Sequence, residues 1–224
     1  MHGIDILFTG DNFLRLLEGV WVTVKIALIS IAISIVFGII FGAIMTAKNK
    51  VVKAVCRVYL DVVRIMPPLV WLFLVFFGLT KAVGLNLSGE TASVIVFSIW
   101  GIAETGDLVR GSLTSIPKHQ FDSGYSLGMK KYQVYCYIIL PQAFKRLVPN
   151  MINLSTRMIK TTALVSLIGV TEVLKVGKQI IDANRYVAPN GAFWVYGAIF
   201  LIYFLICFPL SVFSSVLEKR QKKE

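Results

Sequence analysis

Ile26-Ala-Leu-Ile-Ser-Ile-Ala-Ile-Ser-Ile-Val-Phe-Gly-Ile-Ile-Phe-Gly-Ala-Ile-Met-Thr-Ala47 is a run of twenty-two residues without a charge. As a helix rising about 1.5 Å per residue, it is long enough to cross a hydrocarbon core of about 30 Å. Val187 to Leu217 is a second uncharged run, of thirty-one residues. The whole chain of 224 residues is 56% hydrophobic and only 16% charged, with a mean hydropathy of +0.75. A soluble domain carries about 25% charged residues. The composition therefore excludes a water-soluble monomer, and the chain reads as an all-α integral membrane protein.

Working outward from these runs, five spans are expected, at about 20–46, 58–80, 91–111, 143–168 and 192–217. The net charge of +11 does not imply nucleic acid, because the basic residues fall between apolar segments rather than on one solvated face. Lys48, Lys50, Lys53 and Arg57 follow the first span; Lys118, Lys130, Lys131, Lys145 and Arg146 lie between the third and fourth; Lys219, Arg220, Lys222 and Lys223 follow the fifth. Positive loops stay in the cytoplasm, so the N-terminus is expected outside and the C-terminus inside. Outside are the first 19 residues, a connection near 81–90, and Thr171–Pro189, where Glu172 and Asp182 offset Lys175, Lys178 and Arg185. Met1 to Glu18 carries Asp5, Asp11 and Glu18 rather than a basic head and apolar core, so no secretory signal is expected. Cys56, Cys136 and Cys207 are widely spaced and read as free thiols, and His2 and His119 are too few and too distant for a metal cluster. No repeat, linker or soluble domain interrupts residues 1–224, which read as one transmembrane domain. Energy must come from another chain or from an ion gradient.

Spans two to four differ in kind from one and five. Asp61 and Arg64 precede Pro67-Pro68; Glu104, Asp107 and Arg110 stand on the third span; Asn153, Arg157 and Lys160 stand on the fourth. A charge at membrane depth costs about 2.5 kcal/mol or more unless it faces protein or water. Two readings stay open: these spans line a polar cavity, or the charges snorkel to the interface and pair, Glu104 with Arg157 or Lys160. Between spans three and four, Pro117 to Pro141 reads as helix, break, helix. Pro117 suits a first turn, Phe121 and Tyr125 share a face at i, i+4, and Gly128 is the natural stop. A second amphipathic stretch, Lys130 to Leu140, is expected to end at Pro141. The first helix suits either a partner protein's groove or the lipid headgroups.

Asp122-Ser-Gly-Tyr-Ser-Leu-Gly128-Met, followed by Ile138-Ile-Leu-Pro141-Gln-Ala, resembles the EAA loop of ATP-binding-cassette importer permeases. The chain is similar in particular to the polar amino acid uptake permeases. Arg64-Ile-Met-Pro67 resembles their R-G-T-P, Asp107-Leu-Val-Arg110-Gly-Ser-Leu-Thr-Ser-Ile-Pro117 their E-I-F-R-G-G-I-x-S-I-P, and Lys160-Thr-Thr-Ala-Leu-Val-Ser-Leu-Ile-Gly169-Val their K-D-T-S-L-V-S-V-I-G-V. The order holds from about residue 17 to Leu217-Glu-Lys-Arg. Four departures stand out: Asp122-Ser123-Gly124 replaces E-A-A, Trp71 a usual Gln, Glu104 a usual Tyr, and Thr161 a usual Asp.

The resemblance implies a type I importer fold in the bacterial cytoplasmic (inner) membrane, with two permease subunits, identical or paralogous, over two ATPase subunits that bind ATP and Mg. An external solute-binding protein delivers the cargo. It implies coupling to the ATPase through Phe121, Asp122, Ser123, Gly124, Tyr125, Ser126, Leu127 and Gly128. The candidates for solute contact are Glu104, Asp107, Arg64, Trp71, Asn153, Arg157 and Thr161, with a basic or zwitterionic amino acid favoured over an acidic one. No G-x-x-x-x-G-K-[ST] occurs, so this chain is expected to hydrolyse no ATP, and no catalytic, cofactor or metal residue is assigned. An intramembrane enzyme using Asp61, Glu104 or Asp107 lacks a GxGD-like or HExxH pattern or a convincing dyad. A channel or gradient-driven carrier has no evident need for a stiff cytoplasmic docking helix.

Overall fold

The computed structural model describes residues 3–221. His2, Lys222 and Lys223, singled out above, lie outside them. The described residues form helices and no strand: α1 Asn12–Met45, α2 Lys50–Ile65, α3 Pro68–Phe73, α4 Leu79–Val83, α5 Gly89–Thr114, α6 Lys118–Ser126, α7 Lys131–Gln133, α8 Leu140–Thr161, α9 Val173–Asn184 and α10 Gly191–Gln221. A π-helical turn, Leu74–Gly78, joins α3 to α4, and another, Val134–Ile139, joins α7 to α8. α1, α5 and α10 are each long and apolar enough to cross a membrane, with a fourth span if Lys50–Ile65 and Pro68–Ala82 count together.

The second expected span is not one continuous helix. Met66 takes ψ 127° and Pro67 ψ 140°, which ends α2 at Ile65. A residue before proline is pushed out of the helical region, and Pro68, lacking an N–H, opens α3 at no loss. α2 also starts earlier than expected, where Asn49 Oδ1 accepts the N–H of Val51 at 2.8 Å. The helix expected to stop at Pro141 runs through it. In the π turn before it, the Leu140 N–H reaches the carbonyl of Tyr135. That widened turn leaves room for the proline ring against the preceding carbonyls. The fourth expected span also changes character, finishing as the 3-10 helix Thr162–Ile168 and closing on Gly169, whose φ of +90° a side chain would resist.

The chain divides into two compact units. The first holds Met1–Ile31, Pro67–Phe97 and Thr156–Pro209. Its core joins Ile6, Leu7 and Leu16 to Val173, Val176 and Ile180 of α9 and to Val195 and Ile199 of α10. Thr171–Pro189, read above only as an external connection, thus contains a packed helix. Glu172 caps that helix, accepting N–H groups of Leu174 at 2.9 Å and Lys175 at 2.8 Å, while the hydroxyl of Tyr203 approaches at 3.5 Å. Its side chain is wholly buried; burial pushes the carboxyl above its usual range, and the two backbone donors partly offset this.

The second unit holds Ala32–Met66, Ser98–Ser155 and Leu210–Glu224. Here α1 lies against α5 through Gly38 and Gly42. A Cβ on Gly38 would run into Thr105, and one on Gly42 would fall 2.5 Å from Cβ of Val109. The Tyr59 hydroxyl donates to the Ile99 carbonyl at 2.8 Å, tying α2 to α5. In α8, Pro149 removes the N–H that would bond the Lys145 carbonyl, and the side-chain amide of Gln221 donates to that carbonyl instead.

Candidate functional site: the α6 platform and the charged chain on α5

Two features of the second unit carry chemistry. The first is α6. Pro117, at ψ 146°, precedes Lys118 as its cap rather than occupying its first turn. At the other end, Gly128 takes φ +76°, its N–H bonds Tyr125 O at 2.9 Å, and Met129 N–H bonds Gly124 O at 3.2 Å. This pair of bonds is a Schellman closure, and it makes Gly128 the stop expected from sequence. The aromatic face divides in the structure. Phe121 turns inward, its ring 5.7 Å from that of Tyr135, beside the buried Ile116, Val134 and Ile139. Tyr125 stays 44% exposed and Leu127 80% exposed. Gly124 is buried, and a Cβ there would fall 2.9 Å from Val134 and 3.0 Å from Ile138. Arg146 holds the approach to α6 by donating to the carbonyl and hydroxyl of Ser115 at 2.8 and 2.9 Å. α6 is therefore a short helix with a fixed seat and an open face of Asp122, Ser123, Tyr125, Ser126 and Leu127.

The second feature is a row of four charges. Arg64 Nε donates to Glu104 at 2.9 Å, Arg64 Nη2 contacts Asp107 at 2.9 Å, and Arg110 Nη2 contacts Asp107 at 2.5 Å. The i, i+3 spacing of Glu104, Asp107 and Arg110 puts them on one face of α5, and α2 supplies Arg64. Glu104 is only 14% exposed at its side chain, so the α2 guanidinium compensates a largely buried acid. Arg64 is a structural partner of Glu104 beyond the Arg157 or Lys160 expected from sequence.

The family model for the binding-protein-dependent transport system inner membrane component matches residues 18–223. The chain belongs to this family. It is 31% identical over 202 residues to the L-cystine transport system permease protein TcyB of Bacillus subtilis (strain 168), covering 90% of this chain and 84% of that one. It is 30% identical over 208 residues to the glutamine transport system permease protein GlnP of Escherichia coli (strain K12), covering 92% and 93%. A crystal structure of an amino acid ABC transporter with histidines superposes with a TM-score of 0.84 at 28% identity, over 96% of this chain and 98% of that one. The MetNI methionine ABC transporter, in inward facing conformations, superposes at 0.69 with 17% identity over 93% and 99%, a likeness of fold.

As a membrane permease of this family, the chain is a non-enzymatic subunit. Among the described residues, no group of three or more His, Cys, Asp or Glu is placed to hold a metal ion. The other expected solute contacts fall in both units. Asn153 donates to Glu218 at 3.2 Å in the second unit, and the Thr161 hydroxyl donates to the Arg157 carbonyl at 2.8 Å in the first. Trp71, also in the first, has a buried indole N–H without a hydrogen-bond partner among the described residues. Two contributors escaped the sequence reading. Gly38-x-x-x-Gly42 was legible as a small-residue packing motif. The burial of Glu172 carried no local signal.

Proposed function

We propose that this chain is the transmembrane permease subunit of an importer that carries a polar amino acid across the bacterial cytoplasmic membrane. Its whole length acts as one transmembrane domain of five spans, with the N-terminus outside and the C-terminus inside. Two ATPase subunits bind ATP and Mg, a second permease completes the pathway, and an external binding protein delivers the solute. The observation that carries this reading is α6, a seated helix with an open face closed by Gly128. Phe121 and Gly124 seat the helix, while Asp122, Ser123, Tyr125, Ser126 and Leu127 meet the ATPase. When ATP draws the ATPases together, the two α6 platforms approach and the spans shift from inward-facing to outward-facing.

Relatives named for L-cystine and glutamine support an amino acid with both an ammonium and a carboxylate. Such a solute exchanges the Arg64–Glu104 pair for two new ones, its carboxylate on Arg64 and its ammonium on Glu104, with Asp107 retaining Arg64. Asn153 in the same unit, and Trp71, Arg157 and Thr161 in the other, are the remaining candidates for solute contact.

Gly128→Val tests the platform, since a β-branched residue at φ +76° strains the closure by about 1–2 kcal/mol or more. The assembled variant should lose ATP-driven uptake in proteoliposomes, and its ATPase should stop responding to loaded binding protein; normal uptake would refute the role of α6. Orientation is tested by single cysteines at Asn12 and Lys219 in a background lacking Cys56, Cys136 and Cys207. An impermeant thiol reagent should label only the first from outside.

A further inference from the structure

α2 begins with charges of the unfavourable sign. The N–H groups of a helix's first turn are partially positive, yet Lys50 and Lys53 stand there, Arg57 follows one turn on, and no acid occupies that turn. Cations at i, i+3 and i+4 on a helix also repel one another by a few tenths of a kcal/mol per pair. These three residues, with Arg110, Thr46 and Thr114, line one cavity of about 590 Å³. Asp107 occupies Arg110, whereas Lys50, Lys53 and Arg57 form no ion pair among the described residues. The Thr46 and Thr114 hydroxyls donate to the Ala43 and Arg110 carbonyls and Asn49 accepts the first-turn N–H groups of Val51 and Val52, so the donor set open to a phosphate is the three uncompensated cations that face this one space.

Another face of α2 is apolar. Val51, Val55, Val58 and Val62 are 47–70% exposed at helical spacing, and Ile40 and Ile44 at the end of α1 are also exposed. A helix with exposed valines on one side and cations on another fits the boundary between headgroups and acyl chains. We infer that the cavity between α1, α2 and α5 binds a phosphate-bearing anion, with the headgroup of an anionic phospholipid as the source its surroundings favour. The lipid assignment rests on the cytoplasmic placement of the α1–α2 turn proposed above; the phosphate chemistry does not.

The assembled transporter, with its ATPases, is placed in phosphatidylglycerol or phosphatidylcholine nanodiscs and acetylated with an amine-reactive reagent. Lys50 and Lys53 should react about fivefold more slowly in phosphatidylglycerol, relative to Lys48 on the same turn, which does not line the cavity. Phosphatidylcholine discs with inorganic phosphate form the second arm. Protection by phosphate but not by phosphatidylglycerol keeps the anion site and rejects the lipid assignment; protection in neither arm overturns the inference. As a second measurement, native mass spectrometry of the triple variant Lys50→Gln, Lys53→Gln, Arg57→Gln should show about fivefold less retained phosphatidylglycerol than the wild type. The variant Lys175→Gln, Lys178→Gln, Arg185→Gln removes equal charge from the α9 region and should retain it. Equal retention by both variants would also overturn the inference.

Discussion

α5 and α10 are both long enough to cross a membrane, yet 56% of the most apolar stretch of α5 is buried inside the protein against 17% for α10. α10 presents Phe193, Phe200, Phe204 and Phe208 outward, and Phe204 stacks on Phe208 at 4.8 Å. α5 buries Ala103, Thr105 and Gly106 and carries three charges with partners on one face. Lipid tails are as apolar as leucine, so little hydrophobic force draws one membrane helix onto another. Small residues and paired charges mark the interior helix, and large apolar residues mark the one facing outward.

The sharpest way to break this contrast is to enlarge the α1–α5 contact. Gly42→Leu places side-chain atoms where Val109 and the Gly106 carbonyl already lie, so it should cost about 3 kcal/mol or more and abolish recovery of assembled complex. Leu205→Ala on the outer face of α10 should change thermal stability by about 0.5 kcal/mol or less; comparable losses in the two variants would refute the distinction.

Glu104→Gln probes whether the charged face of α5 serves solute or structure. On the proposed reading, the half-saturating solute concentration for uptake rises about tenfold while basal ATP hydrolysis stays. Failure to assemble, with uptake lost outright, would assign the Arg64–Glu104 pair to holding α2 on α5. Gly124→Val should shift α6 from its seat on Val134 and Ile138 and weaken stimulation of the ATPase without removing the left-handed closure at Gly128.

The smallest expected effect comes from Glu172 at the start of α9. Its folded pKa is raised by burial, so the native state holds the proton more tightly than the unfolded chain does. The stability this group contributes is therefore greatest below its ordinary pKa and is lost as pH climbs from that value through the raised one. Glu172→Gln should flatten the melting temperature across that window; an unchanged profile would show that Glu172 ionises freely.

Sequence legibility followed the range of the interactions. Gly128 was identifiable because a helix stop is a local matter of φ and two backbone bonds, and the long spans because hydrophobic length is additive along the chain. Pro67 was in plain view, but an apolar run continues on its far side, which concealed the break between α2 and α3. Pro141 misled in the opposite direction, because a neighbouring π turn absorbs a proline that would end an ordinary helix.

The sequence alone determined that this is a helical membrane protein with basic connections and a short helix that stops at Gly128. Those properties depend on composition, periodicity and spacing, all of which are linear. Only the tertiary structure decided that Arg64 is a partner of Glu104 and Asp107, that Phe121 turns inward while Tyr125 faces out, and that Lys50, Lys53 and Arg57 share a cavity with Arg110. Each of those pairs residues from different helices, and a charge or ring chooses its partner by distance in space, which one chain's order does not encode.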